Sequence, residues 1–474
     1  MTNASRQKIY RALSEITEKY HFSPLEEGPN GKVMPKNLVL MTLSYLLARN
    51  HLLVGEPGWG KTTGAKVVAS RLSGLPYDVY DSLEIRGNPH KFEEKIVARF
   101  NFGSLSKGVE QVIWQGCFGL PALIIDEGNR LPYDSQDAIL QGIDTGRWVY
   151  NNASLYEGKK PTFITMNEKP GSEQNGFIGA LKDRFDIVTE HGYWSAQVTF
   201  DLEEAKRARQ EELENPEYTT GVLEALAKNF DAFKKSIGKR PIAGHLRPEE
   251  LAEIRADIMQ IDAVADDNDP VLFLQTFMAE VDFSRKYGRK RAVEPISDDT
   301  HDQNYAGIHV LSTFSPRSVM AANAYARGLA WFLGEPLQLD HVRYVLPHIF
   351  ATKAVFTNDY INKWGNAARE EGECQSLDLS RRLVGEVYDR YQQSIQPMKN
   401  WIAILRAWYS GERDEIKPQN DQEKALVKDL TAIEKGKLRA DDAESLKEDK
   451  YDHPLMIDIV REVKQPERAF YEKE

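Results

Sequence analysis

Gly55-Glu56-Pro57-Gly58-Trp59-Gly60-Lys61-Thr62 follows directly on a short apolar run, Leu52–Val54. The eight residues satisfy the spacing G-x-x-x-x-G-K-[ST] at every fixed position. Glycines at these places let the backbone bend until successive N–H groups converge, and they leave room for a close ligand. Such a nest suits phosphate oxygens, and a helix opening at Lys61 adds the positive end of its dipole. Lys61 is read as the contact to the β- and γ-phosphates, and Thr62 as a Mg²⁺ ligand. The helix should run on to about Gly74. The context is therefore strand, loop, helix, and the candidate nucleotide-binding set is Gly55, Glu56, Pro57, Gly58, Trp59, Gly60, Lys61, Thr62 and Thr63.

Two further apolar runs end in chemically useful residues. Ala122–Ile125 stops at Asp126-Glu127, and Thr162–Met166 stops at Asn167. A phosphate loop needs a carboxylate for its metal ion and a group to aim water. Asp126 is read as the Mg²⁺ carboxylate and Glu127 as the general base. Short apolar strands separated by helical stretches predict βαβ units and a parallel sheet.

Outward from this core, residues 1–20 read as a polar helix and 23–36 as a loop rich in Pro and Gly. A helix is expected from about Asn37 to Arg49. Residues 146–158 read as a hairpin turning at Asn151-Asn152. Past about residue 195 the pattern is helical, with no clear strand over 197–300 and two apolar-periodic helices over 312–352. Beyond 353 the chain stays helical but strongly charged. Leu379, Leu383, Val384, Val387 and Tyr388 form a candidate buried stripe there, and 411–452 reads as either a solvated helix or a partly mobile segment.

A sequence resemblance gathers these pieces. Asp126-Glu127-Gly128-Asn129-Arg130 resembles the D-E-x-N-R box of the MoxR family of AAA+ ATPases. Asn50-His51-Leu52-Leu53-Val54-Gly55 resembles that family's approach to its phosphate loop, and Ser135–Gln141 the helix after the box. Phe163-Ile164-Thr165-Met166-Asn167 resembles the sensor 1 strand, Leu181-Lys182-Asp183-Arg184-Phe185 an L-x-D-R-F element, and Phe314-Ser315-Pro316-Arg317-Ser318 the sensor 2 helix. The likeness covers about 37–195 and 245–352 in the same order. The sequence departs from the family at Gly128, where an aliphatic residue is usual, in the long stretch 197–245, and in the tail after 353.

The resemblance implies an α/β fold: a P-loop NTPase core of the AAA+ type, with a parallel sheet carrying helices on both faces, then an all-α lid and an α-helical C-terminal extension. The corresponding segments are 1–196 for the core, 197–244 for a helical insertion, 245–352 for the lid and 353–474 for the extension. It also implies catalytic roles for Glu127, Asn167 as sensor 1, Arg184 as an arginine finger and Arg317 as sensor 2, with ATP and Mg²⁺ (Thr62, Asp126) as cofactors. A homo-oligomeric ring, expected as a hexamer, a partner bearing a von Willebrand A domain, and a protein client complete the expectation. Arg130 either meets the subunit interface or holds the local turn. Trp148 and Tyr150 either grip a client or, the favoured reading, pack inward as hairpin aromatics.

Composition narrows the alternatives. Among 474 residues, 41% are hydrophobic and 28% charged, as in an ordinary globular protein of two to four domains. Asp and Glu outnumber Lys and Arg by 72 to 61, a net charge of −11, opposite in sign to the usual nucleic-acid binder. The dense basic run Arg285-Lys286-Tyr287-Gly288-Arg289-Lys290-Arg291 reads as a solvated loop rather than a nucleic-acid contact. Two distant cysteines, Cys117 and Cys374, offer no disulfide framework or zinc spacing. With no signal or membrane-spanning run, a cytoplasmic address is expected. A coupled ATP motor is the leading expectation. The alternatives are a nucleotide-gated adaptor with little turnover and a nucleic-acid-acting AAA+ NTPase.

Overall fold

The computed structural model describes residues 2–20, 23–90, 96–106, 108, 110–167, 177, 179–192, 212–262, 269–284, 288–289, 304–370, 375–437 and 453–455. Its organising element is a five-stranded sheet in the order β11-β3-β10-β7-β4. The strands are β3 (Asn50–Val54), β4 (Ile85–Arg86), β7 (Leu123–Asp126), β10 (Thr162–Met166) and β11 (Ile187–Glu190). All pairings within it are parallel, with Phe163 opposite both His51 and Ile124, and Val188 opposite Leu52. The expected α/β core is thus observed.

Near-continuous apolar strands are what a parallel sheet covered on both faces requires. On one face Leu52, Val54, Leu123, Ile125, Ile164 and Val188 share a buried cluster with Ile139 and Ile143. Those two isoleucines belong to the helix Tyr133–Thr145, which closes that face. The opposite face is covered by helices Lys36–Leu47 and Lys61–Ser73. It also carries buried polar side chains, His51, Thr165 and Thr189. His51, fully buried, bonds Ser44 at 2.8 Å and Thr189 at 2.9 Å through its two ring nitrogens, and Ser44 bonds Tyr325 at 2.7 Å. Burial pushes the His51 imidazole down to about 3, so it is held neutral.

The sequence reading overlooked β4 and β11. The stretch 23–36 holds more than a loop: β1 (Leu25–Glu27) and β2 (Val33–Pro35) pair antiparallel around a tight turn. The hairpin at 146–158 is formed by β8 (Arg147–Tyr150) and β9 (Ala153–Tyr156), with Asn151 at φ 48° in its turn. A second hairpin joins β5 (Ala98–Phe100) to β6 (Val112–Trp114). Over 197–300, where the sequence predicts no clear strand, Phe283-Ser284 pairs antiparallel with Gly288-Arg289. Arg285, Lys286, Tyr287, Lys290 and Arg291 of the basic run lie outside the described residues, as do 197–211 and 438–452.

The chain divides into two compact units. The first comprises Met1–Asp267, Pro316–Lys353 and Trp364–Ser380; the second comprises Asn268–Ser315, Ala354–Lys363 and Arg381–Glu474. The stretch 245–352 therefore contributes to both. Helices Pro248–Met259, Pro316–Leu333 and Leu339–Phe350 pack in the first unit. Helix Asp269–Asp282 belongs to the second, where the fully buried Glu280 is paired with Arg390. The long helix Gln375–Ser410 carries the expected stripe: Leu379, Leu383, Val384 and Val387 are buried, and Tyr388 is half-buried. Among the described residues no helix is long and apolar enough to cross a membrane.

Candidate functional site

The strand order explains why distant motifs meet. β10 lies between β3 and β7, so the loops leaving the three C-terminal ends are neighbours. This is the edge of an open α/β sheet at which ligands bind. The phosphate loop leaves β3, Asp126-Glu127 leaves β7, and Asn167 leaves β10.

Three glycines of the loop hold the left-handed backbone that the turn demands: Gly55 at φ 140°, Gly58 at 86° and Gly60 at 74°. Gly55 is also sterically obligatory, because a Cβ there would lie 2.3 Å from the His191 carbonyl oxygen. Gly58 is the reverse case, since a Cβ there would meet nothing within 4 Å. Lys61 opens the helix Lys61–Ser73 and is buried. Its Nζ donates to Gly55 O at 2.8 Å, Glu56 O at 2.7 Å and Asn167 Oδ1 at 2.9 Å. The ammonium is folded back onto the loop and tied to the end of β10. Glu56, Pro57 and Gly58 are exposed, while Trp59, Gly60, Thr62 and Thr63 are partly buried.

Thr62 Oγ1 donates to Asp126 Oδ1 at 2.5 Å. That carboxylate oxygen also accepts from Thr165 Oγ1 at 2.8 Å. Thr165 was not singled out by the sequence reading, yet it is a hinge of the site: its hydroxyl oxygen also accepts from the Glu127 backbone N–H at 2.9 Å. Glu127 sits at φ 49°, a conformation that costs a non-glycine residue about 1–2 kcal/mol and here turns its side chain out of the strand line. Its carboxylate accepts from Asn167 Nδ2 at 2.6 Å and from Arg130 Nη1 at 2.5 Å. Arg130 therefore holds Glu127 within the same turn. Gly87, also overlooked, donates its N–H to Asp126 O at 2.7 Å, and a Cβ there would fall 1.9 Å from Glu127 O. Gly128 is equally confined, with a Cβ 2.6 Å from Ile164 Cγ2.

Arg184 and Arg317 go elsewhere. Both reach Asp144, Arg184 Nε at 3.2 Å and Arg317 Nη2 at 3.4 Å, each taking a different carboxylate oxygen. Trp148 and Tyr150 are buried, Trp148 stacked on Phe118 with ring centroids 3.9 Å apart and Tyr150 tilted against Phe100. The hairpin instead exposes Val149 and Tyr156.

The residues present fit a Mg²⁺-nucleotide. Thr62 and Asp126 offer two hard oxygen donors in mutual contact, the donor type that Mg²⁺ prefers while it keeps water and phosphate oxygens for its remaining positions. The loop offers a glycine cradle open above Gly58, with an ammonium behind it.

Fold and loop geometry define the class, an α/β P-loop nucleotide-binding fold followed by helical regions. Comparison with solved structures agrees. A crystal structure from Cytophaga hutchinsonii, of a protein named as an inferred ATPase, superposes with a TM-score of 0.51 at 13% sequence identity. The match covers 82% of this chain and 95% of that one. A full-length MCM homologue from Methanopyrus kandleri matches with a TM-score of 0.36 at 11% identity, over 68% of this chain and 56% of that one. At 13% identity the first likeness concerns the fold alone, and at a TM-score of 0.36 nothing is drawn from the second. No protein-family model matches the chain, and no curated protein does.

Proposed function

We propose that this chain is a Mg²⁺-dependent ATP hydrolase of the AAA+ kind, resembling the MoxR type. In this reading it works in the cytoplasm as a homo-oligomeric ring, expected as a hexamer. Hydrolysis is coupled to remodelling, maturation or activation of a protein client, alongside a partner with a von Willebrand A domain. The charged helical tail after 353 is the candidate docking element for that partner.

One observation carries the reading. Lys61, Thr62, Asp126, Glu127 and Asn167 form one connected set of hydrogen bonds at the C-terminal edge of the sheet, with Thr165 as the link between Asp126 and Glu127. Lys61 supplies a positive charge to the phosphates. Thr62 and Asp126 would hold Mg²⁺, which when bound neutralises charge on the phosphate oxygens. Glu127 accepts the proton of the attacking water, and Asn167, bonded to it, fixes the carboxylate's orientation. Arg184 lies outside this set in its own chain and is read as the finger that serves a neighbouring subunit's nucleotide, while Arg317 is read as sensor 2, acting on the nucleotide from the lid. A guanidinium brought to a γ-phosphate stabilises transition-state charge.

The experiment is Mg²⁺-dependent ATP hydrolysis per subunit across a wide range of protein concentrations. Specific activity that rises with concentration supports a site completed across an interface. Hydrolysis at a flat level calls for subunit mixing with Arg184→Ala. No hydrolysis at any concentration overturns the motor reading for the isolated chain and favours a nucleotide-gated adaptor.

A further inference from the structure

Asp144 occupies an electrostatically unfavourable place. It lies in the last turn of the helix Tyr133–Thr145, where the macrodipole is negative and a carboxylate is the wrong sign. Arg317 is misplaced in the mirror sense. It stands in the first turn of Pro316–Leu333, the positive end of a helix with no acidic residue in that turn. Neither charge is favoured by its own helix, and each is offset by the other across 3.4 Å. Arg184 follows the short helix Gly179–Lys182 and takes the second Asp144 oxygen at 3.2 Å. One carboxylate thus bridges two guanidiniums from two separate elements. All three side chains remain between a quarter and two fifths exposed, at 33%, 27% and 37% for Asp144, Arg184 and Arg317.

Lys353 donates to Asp183 O at 3.2 Å. Burial disfavours its charged form, Asp186 and Asp183 oppose that, and Arg317 and Arg184 add to it. Two guanidiniums this close repel each other, and among the described residues Asp144 is the carboxylate that pairs with both. A guanidinium gains strength as a phosphate ligand when it is held beforehand in one orientation.

We infer that Asp144 is the positioning residue that holds Arg184 beside Arg317 and sets the geometry in which Arg184 meets a neighbouring subunit's γ-phosphate. This rests on the reading, proposed above, that Arg184 acts across a subunit interface. Removing the carboxylate's charge lets the guanidiniums splay while leaving the same chain's own Lys61, Thr62, Asp126, Glu127 and Asn167 intact.

The test is a subunit-mixing titration of the full chain with ATP turnover as readout. Asp144→Asn keeps the side chain's shape, and Asp144→Glu restores its charge. Asp144→Asn should turn over about ten-fold slower at unchanged KM, and Asp144→Glu should recover part of the loss. Glu127→Gln subunits have no working base but normal arginines. Adding them should raise turnover per Asp144→Asn subunit relative to the same titration of wild type, as it should for Arg184→Ala. If Arg184→Ala is rescued but Asp144→Asn turns over normally, or is slow and not rescued, the role of Asp144 is overturned and the interface reading stands. If Arg184→Ala is itself not rescued, the interface reading fails and takes the proposal with it.

Discussion

Lys61 Nζ donates to Asn167 Oδ1 at 2.9 Å, joining the phosphate loop to the end of the central strand β10. Through its other amide atom Asn167 donates to Glu127 at 2.6 Å, so one side chain spans the proposed phosphate-binding cation and the proposed base. Asn167→Asp tests this. The new carboxylate can still accept from Lys61, but it has no N–H for Glu127 and sets a like charge beside it. Turnover should fall by about 10²-fold, the scale of a mispositioned base, with ATP affinity altered only a few-fold. Single-turnover hydrolysis beside equilibrium nucleotide binding separates the two effects. A variant with normal turnover would remove Asn167 from the mechanism.

Gly55 and Gly58 should differ sharply on substitution, in keeping with a motif that fixes Gly55 and leaves position 58 free. Gly55→Ala drives a Cβ to 2.3 Å from the backbone oxygen of His191, which cannot yield without moving β11. Gly58→Ala meets open space and bears only the strain of φ 86°, about 1–2 kcal/mol. Thermal unfolding should show Gly55→Ala destabilised by about 3 kcal/mol or more. Equal melting temperatures for the two variants would contradict the packing.

How much of this was legible depends on where each signal resides. β3, β7 and β10 announce themselves as apolar runs ending in functional residues. β11 does not, because Ile187-Val188 is followed by Thr189 and Glu190, and the hydroxyl of the buried Thr189 finds its partner in His51 on a neighbouring strand. β4 is two residues long and has no periodicity to read. Motif spacing brought Asp126 and Glu127 to attention, but Thr165 and Gly87 matter through contacts made across the sheet, which no local pattern encodes. Asp144 was invisible for the same reason: an acid on a helix is ordinary until Arg184 and Arg317 are seen to share it. The stretch 245–352 reads as one helical region, yet its helices pack into two units, since helical periodicity names a buried face without naming its partner.

His51 predicts a pH dependence. Its folded value, pushed down to about 3 by burial, lies below the ordinary value near 6.5. Below about pH 6.5 the unfolded chain binds a proton that the folded chain refuses. The stability from the neutral, paired ring is therefore complete above that pH and is lost as the pH falls toward 3, at about 1.4 kcal/mol per unit. Urea titrations at pH 7.5 and 4.5 should show wild type losing more stability on acidification than His51→Gln, after both are corrected for their stability at pH 7.5. Identical losses would mean that His51 does not govern this range.

Trp148 supports the fold rather than a grip on a client. Its ring is buried against Phe118, and the Gly142 Cα is so near that a Cβ there would lie 2.2 Å from the indole. Trp148→Ala should cost about 3–5 kcal/mol, as expected when a large buried aromatic is removed. Tyr156→Ala, on the exposed side of the same hairpin, should change stability by no more than about 0.5 kcal/mol. Chemical denaturation of both variants separates the two faces. If Trp148→Ala were as stable as wild type, the hairpin would have to be packed differently.

Glu127→Gln separates a motor from a nucleotide-gated adaptor. The substitution keeps the side chain's length and an acceptor for Asn167, but it removes the charge held by Arg130 at 2.5 Å and the basicity needed to take a proton from water. The phosphate loop is untouched, because the contacts of Lys61 run to Gly55, Glu56 and Asn167. ATP binding should therefore persist while hydrolysis drops by about 10²–10⁴-fold, the range for loss of a general base. The decisive readout is function on a client in cells or in a reconstituted assay. A chain that must cycle loses that function when frozen in its ATP-bound state, whereas one that only needs to bind nucleotide keeps it. Retention of client function by Glu127→Gln would make the hydrolytic geometry around Glu127 incidental to what the protein does.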